Sequence, residues 1–240
     1  MSVLTAVETS SADLLRLSEV FDSLQGEGPN SGKPCRFVRL ALCNLRCHYC
    51  DTKYTWDFEQ HDYDREVKET TLAAVVEQIR SAPSAHVVLT GGEPLLQQRA
   101  LERTLREVPA SIFIEVETNG TRLPLPSLLE RIDQWNVSPK LASAGDSEAL
   151  RIRPEVLRAL RDTGRAYLKL VVRSEQDKAE AEALRVRFGF ARERTLLMPE
   201  AATSEELRAR APIVAAWSQE LGLRYSDRLH VALWGGRRGT

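Results

Sequence analysis

Three of the chain's four cysteines fall within eight consecutive positions, in Cys43-Asn44-Leu45-Arg46-Cys47-His48-Tyr49-Cys50. Thiols at i, i+4 and i+7 can meet one small object if the segment between them curls. Three thiolates suit an iron–sulfur cube, whose irons take soft sulfur ligands. Three protein ligands leave one iron of such a cube open, and open metal positions take substrate or cofactor, whereas closed sites are structural. The alternative is a structural zinc knuckle with Cys35 or His48 as a fourth ligand. Zinc sites pair their ligands as two separated clips, and Cys47–Cys50 is the one clip in this chain. A disulfide framework does not suit a chain this long and poor in cysteine.

The pattern C-x3-C-x2-C, with Tyr49 just before the last cysteine, resembles the radical S-adenosylmethionine superfamily. The flanks narrow the resemblance. Leu24-Gln25-Gly26-Glu27-Gly28, Arg36-Phe37-Val38-Arg39-Leu40 and Cys50-Asp51-Thr52 are similar to the 7-carboxy-7-deazaguanine synthase (QueE) family. The similarity runs from about Glu19 to the C-terminus and is strongest between Leu24 and Thr52.

That resemblance implies the cofactors and their ligands. Cys43, Cys47 and Cys50 would hold one 4Fe-4S cluster, and Thr52 would ligate Mg2+, which keeps several waters and takes few protein ligands. S-adenosylmethionine would meet Tyr49, Cys50, Asp51, Gly92, Ser138-Pro139-Lys140 and Met198-Pro199-Glu200-Ala201. Substrate would meet Leu24, Gln25, Gly26, Arg39 and Thr90, with the Arg39 fork on the substrate carboxylate. No catalytic side chain is implied, because the radical comes from the cofactor. The implied reaction is a carbon–nitrogen lyase step of queuosine biosynthesis. It contracts the ring of 6-carboxy-5,6,7,8-tetrahydropterin to 7-carboxy-7-deazaguanine and releases ammonia.

Lys+Arg 33 against Asp+Glu 34 gives a net charge of -1, which offers no bulk footprint for nucleic acid. A free small molecule fits better than tRNA as substrate. No apolar run approaches about 18 residues, and no secretory pattern opens the chain, so a cytoplasmic protein without a membrane partner is expected. The family resemblance adds a reductant such as flavodoxin or ferredoxin, and a homodimer.

Residues 1–16 read as a frayed tail ahead of a single domain over 17–240. Apolar runs then alternate with helical periodicity. Strands are expected at Glu19–Phe21, Arg36–Leu42, His86–Thr90, Ile112–Glu117, Trp135–Val137, Tyr167–Val172, Thr195–Met198 and Asp227–Trp234. Helices are expected near Leu72–Ile79, Gln97–Val108, Leu125–Ile132, Pro154–Asp162, Glu175–Phe188 and Ser204–Leu221. Alternation implies parallel pairing. About six units are fewer than the eight of a closed barrel, so the expected fold is α/β, a partial TIM-like barrel with ligands at the C-terminal strand ends. Gly91-Gly92-Glu93 after a strand suits close approach of a ligand to backbone, or a plain turn. Lys53 to Thr70 reads as an insertion at the site mouth and Cys35 as a buried thiol, while His230, on an apolar strand, either contacts substrate or packs as a structural histidine, the commoner case.

Two other classes share these features. A glycyl-radical activase shares the three-cysteine motif, but Leu24-Gln25-Gly26 with Arg39 describes a small-molecule cradle. A zinc-binding module would lack iron and sulfide.

Overall fold

The computed structural model describes residues 13–240. Nine strands form one sheet: β1 (Leu14–Leu24), β2 (Pro34–Leu40), β3 (Lys68–Thr71), β4 (His86–Gly91), β5 (Phe113–Thr118), β6 (Gln134–Val137), β7 (Ala166–Val172), β8 (Thr195–Pro199) and β9 (Arg224–Tyr225). Their order is β3-β1-β2-β4-β5-β6-β7-β8-β9, and the two ends of this series do not pair. From β2 through β4 to β9 every pairing is parallel, while β1 runs antiparallel to both β2 and β3. The result is the expected unclosed barrel, extended at one edge by an antiparallel pair.

Nine helices complete the described chain: α1 (Tyr63–Glu66), α2 (Leu72–Arg80), α3 (Gln98–Arg106), α4 (Pro126–Arg131), α5 (Glu148–Arg151), α6 (Pro154–Asp162), α7 (Glu175–Phe188), α8 (Ser204–Leu221) and α9 (Leu229–Trp234). None is long and apolar enough to cross a membrane. Successive strand residues point to opposite faces, so each strand divides its chemistry in two. Val87, Leu89, Ile114, Val116, Trp135, Val137, Leu168 and Leu170 share one buried cluster with helix residues such as Val75, Leu101 and Leu157. The alternate positions carry His86, Thr90, Glu115, Glu117, Gln134, Asn136 and Lys169, which are not in that cluster. A parallel sheet is covered on both faces. Here the helices cover one, and the inner face surrounds a polar interior.

Two expectations need correction, the tail boundary and the last strand. The tail boundary at 16/17 falls inside β1, because Leu14–Leu17 pair with Thr71–Lys68 and Leu15 is fully buried; residues 1–12 lie outside the described ones. The segment 53–70 holds a 3-10 turn (Lys53–Thr55), α1 and the start of β3. Asp227–Trp234 is not a strand: Leu229–Trp234 is helical, with Val231 its buried residue. A short apolar run fits either period, and here one turn of helix buries Val231 against Ala201 and Leu207.

Candidate active site

The chain leaves β2 into the cysteine loop under constraint. Leu42 is the one non-glycine residue with positive φ (75°) among the described residues, a conformation that costs energy and is held by its neighbours. Its N–H donates to the Thr55 carbonyl (2.7 Å), and its own carbonyl accepts from Glu93 N–H (2.8 Å). Gly91 and Gly92 lie directly against this turn. A Cβ on Gly91 would sit 2.0 Å from the Leu40 carbonyl oxygen, and one on Gly92 would sit 2.1 Å from that of Leu42. Gly91 is therefore required by the close approach of the end of β2, and Gly92 by that of the cysteine loop.

Glu93 looks inward. It is fully buried and accepts from Leu95 N–H (3.0 Å), Asn119 N–H (2.7 Å) and the Thr118 hydroxyl (2.9 Å). Burial pushes its carboxyl above the usual range against these hydrogen bonds. Asn119 donates in turn to Asn44 of the cysteine loop (3.1 Å). The loop is thereby tied to the ends of β4 and β5.

Cys43, Cys47 and Cys50 gather with Leu45, Tyr49 and Ala144 in one small cluster. Trp56 Nε1 donates to Cys50 Sγ (3.3 Å), and Thr52 Oγ1 stands 3.6 Å from the same sulfur. Burial pushes the Cys43 thiol up to about 12 and that of Cys47 to about 11, so a bound cation must supply the favourable charge that makes them thiolates. No set of three such ligands among the described residues converges on a single ion. A cube asks for something else, because each thiolate goes to a different iron. The donor set fits that cluster. The Tyr49 hydroxyl is buried beside it without a hydrogen-bond partner.

The cysteine loop forms one wall of a cavity of about 370 Å³. Leu24, Gln25, Gly26, Arg39, Thr90 and Gly92 line it, as do Tyr49, Asp51, Thr52, Ser138, Lys140, Met198 and Glu200. Pro139, Pro199 and Ala201 do not line it. The side-chain amide of Gln25 is not free for a ligand. It is 1 % exposed, donates to Glu115 Oε1 (2.6 Å), and accepts from Glu27 N–H (3.1 Å). What this segment offers the cavity is its shape and backbone. Arg39 spends its Nε on Glu19 (2.8 Å).

Lys169, Glu117 and Arg228 line this cavity without any signal in the sequence. Lys169 ion-pairs with Glu27 and lies 3.8 Å from Glu117, whose other oxygen accepts from the Thr90 hydroxyl (2.7 Å). Burial pushes Glu27 up, but Lys169 and Arg228 outweigh it and hold the carboxyl far below its usual range. The same exchange keeps Lys169 charged despite burial. His230 also lines the cavity, packed on Gly26, where a Cβ would meet its Nδ1 at 2.2 Å. It is a wall of the site, carried on a helix rather than a strand.

Comparison with known proteins agrees with this geometry. The radical SAM superfamily profile matches residues 39–161. The chain is 38 % identical over 231 residues to a 7-carboxy-7-deazaguanine synthase of Pyrobaculum aerophilum, covering 96 % of this chain and 99 % of that one. It is 40 % identical to the synthase of Halobacterium salinarum, over 92 % and 90 % of the two chains. Among solved structures, QueE from Escherichia coli superposes with a TM-score of 0.66 at 22 % identity, covering 92 % of this chain and all of that one. That likeness speaks for the fold. By its sequence, this chain belongs to the 7-carboxy-7-deazaguanine synthase family of the radical SAM superfamily.

Proposed function

We propose that this protein is a 7-carboxy-7-deazaguanine synthase, a lyase that contracts the ring of 6-carboxy-5,6,7,8-tetrahydropterin with loss of ammonia. The observation that carries the reading is that one cavity has the three-cysteine loop on one wall and Arg39, Thr90 and Lys169 on another. When bound, the 4Fe-4S cluster with S-adenosylmethionine supplies the radical that starts the reaction, and Mg2+ supplies positive charge for the substrate carboxylate.

The chain's own residues do the rest. Cys43, Cys47 and Cys50 hold the cluster, and Thr52 holds the metal ion. Tyr49, Gly92, Ser138, Lys140, Met198 and Glu200 form the S-adenosylmethionine side of the cavity. Arg39, with Nε fixed by Glu19, turns its remaining donors to the carboxylate of the substrate. Leu24 and Gly26 shape the wall against the ring, and Thr90 is oriented by Glu117. A reductant such as flavodoxin or ferredoxin supplies the electron, and the protein works as a cytoplasmic homodimer.

The test is anaerobic turnover of the reconstituted protein with reductant, Mg2+, S-adenosylmethionine and the carboxytetrahydropterin. The expected result is 7-carboxy-7-deazaguanine by mass, without net loss of S-adenosylmethionine. Formation of 5′-deoxyadenosine with the pterin untouched would overturn the substrate assignment.

A further inference from the structure

One side chain touches three separate walls of the cavity. Arg228 caps the start of α9 and is 7 % exposed. Its Nε donates to Glu27 Oε1 (3.1 Å), one Nη donates to the Ala201 carbonyl, and the other donates to Asp51. Glu27 directly follows Leu24-Gln25-Gly26. Asp51 stands between Cys50 and Thr52. Ala201 ends the stretch that begins at Met198.

We propose that Arg228 is a positioning residue that holds the substrate, metal and S-adenosylmethionine segments in register, an inference that rests on the function proposed above. A guanidinium is the one side chain suited to this. Its donors lie in a rigid plane and diverge, so each nitrogen can serve a different segment, whereas a lysine ammonium is a single point on a flexible stem. The backbone around it is fixed from the same direction. Leu229 N–H donates to the Gly26 carbonyl (2.9 Å), and Gly28 N–H donates to Ser226 Oγ (2.8 Å). Charge alternates along Lys169, Glu27, Arg228 and Asp51, two of each sign. The Lys169, Arg228 and Glu27 side chains are 6 %, 9 % and 13 % exposed, so loss of Arg228 leaves Glu27 paired with Lys169 alone, a cation that also faces Glu117, with little water to screen it.

The experiment is hydrogen–deuterium exchange by mass spectrometry on the anaerobically reconstituted protein, comparing wild type with Arg228→Ala and Arg228→Lys. The expected result is faster exchange, by about tenfold or more, in all three of the segments 25–32, 50–55 and 199–203 of Arg228→Ala, since breaking a buried charge pair is costly. Added guanidinium chloride, well below denaturing concentration, should slow them together in Arg228→Ala. Arg228→Lys keeps charge and stem but not the fork, and should loosen at least two of the three; it carries the test if Arg228→Ala does not fold. The substrate KM of both variants should rise while the visible spectrum of the cluster stays that of wild type. Faster exchange confined to α9, or an Arg228→Lys protein identical to wild type, would overturn the proposal and leave Arg228 as a local cap. The exchange readout needs no turnover, so failure of the proposed function, seen as no product from wild type, is distinguishable from failure of this inference.

Discussion

Arg39 and Glu19 are register partners across the antiparallel β1–β2 pair, and Arg39 Nε meets Glu19 Oε1 at 2.8 Å. The same carboxylate accepts from the Tyr54 hydroxyl (2.6 Å) and from Arg238 Nε (3.2 Å). Glu19 therefore orients Arg39 rather than merely neutralising it. Arg39→Lys loses the fork and the orientation together, and the KM for the pterin should rise by about 10- to 100-fold, the worth of a charged hydrogen bond. Glu19→Gln should raise it by only a few-fold. Steady-state kinetics on both variants checks the order; equal effects would mean that the orientation set by Glu19, and not the fork, carries the contribution of Arg39.

Gly92→Ala should act on the cluster through the backbone of the cysteine loop and through Cys43, whose Cβ would lie 3.0 Å from the added methyl. That methyl would fall 2.1 Å from the Leu42 carbonyl oxygen, so the cysteine loop must shift. The expected outcome is a loss of about 3 kcal/mol or more of stability and a lower iron content after reconstitution. A full iron complement with a wild-type melting temperature would show that the loop yields freely.

Glu115 is fully buried and accepts from Gln25 (2.6 Å), Asn30 (2.8 Å), Asn136 and His86 (2.9 Å). Replacing it by alanine strands those donors away from water. Glu115→Ala should lower stability by about 3–5 kcal/mol, read from the urea midpoint. Glu115→Gln, which keeps the volume but turns an amide N–H2 toward other donors, should fall between the two.

His230 carries a pH signature. Burial lowers its pKa below the ordinary 6.5, helped by Arg228 and opposed by Glu27, Asp51 and Glu117. Between the two values the unfolded chain binds more protons than the folded one, so stability rises with pH there. Its contribution is complete above about 6.5 and is lost as pH falls through the lower folded value. His230→Gln removes this dependence. Urea midpoints of the two proteins should differ more at about pH 8 than at about pH 5; a constant gap would mean His230 does not titrate in this way.

The four cysteines should separate cleanly. Cys43→Ala, Cys47→Ala or Cys50→Ala should each abolish the brown cluster spectrum. Cys35→Ala should keep it, because Cys35 is buried with Phe21, Phe37 and Val88, and burial and the nearby carboxylates push its thiol up to about 12. Loss of the cluster in Cys35→Ala would make it a fourth ligand.

What was legible in the sequence was local. The cysteine spacing, the Gly91-Gly92 pair and the period of α7 and α8 each lie within one stretch of chain, and the structure has them where they were expected. The charged wall was not legible, because its partners are remote in sequence: Arg228 meets Glu27 across 201 positions and Asp51 across 177. Gln25 shows a subtler limit. It lines the cavity, but its amide is used up by Glu115, which is 90 positions away. The last helix was missed because His230-Val231-Ala232-Leu233-Trp234 is too short for its period to declare itself.

Behind Gln25, which lines the cavity and donates to Glu115, the polar interior forms a support that cannot sink. Glu115, Asn30, Gln134 and Asn136 are all buried and bonded to one another, so deepening the site by a smaller side chain would leave donors facing donors. Depth is thus a fixed dimension of this enzyme, set by the same bonds that join the loop after β1 to β4, β5 and β6. Variants selected for larger or smaller ring systems should change the rim and the side walls, and leave this support untouched.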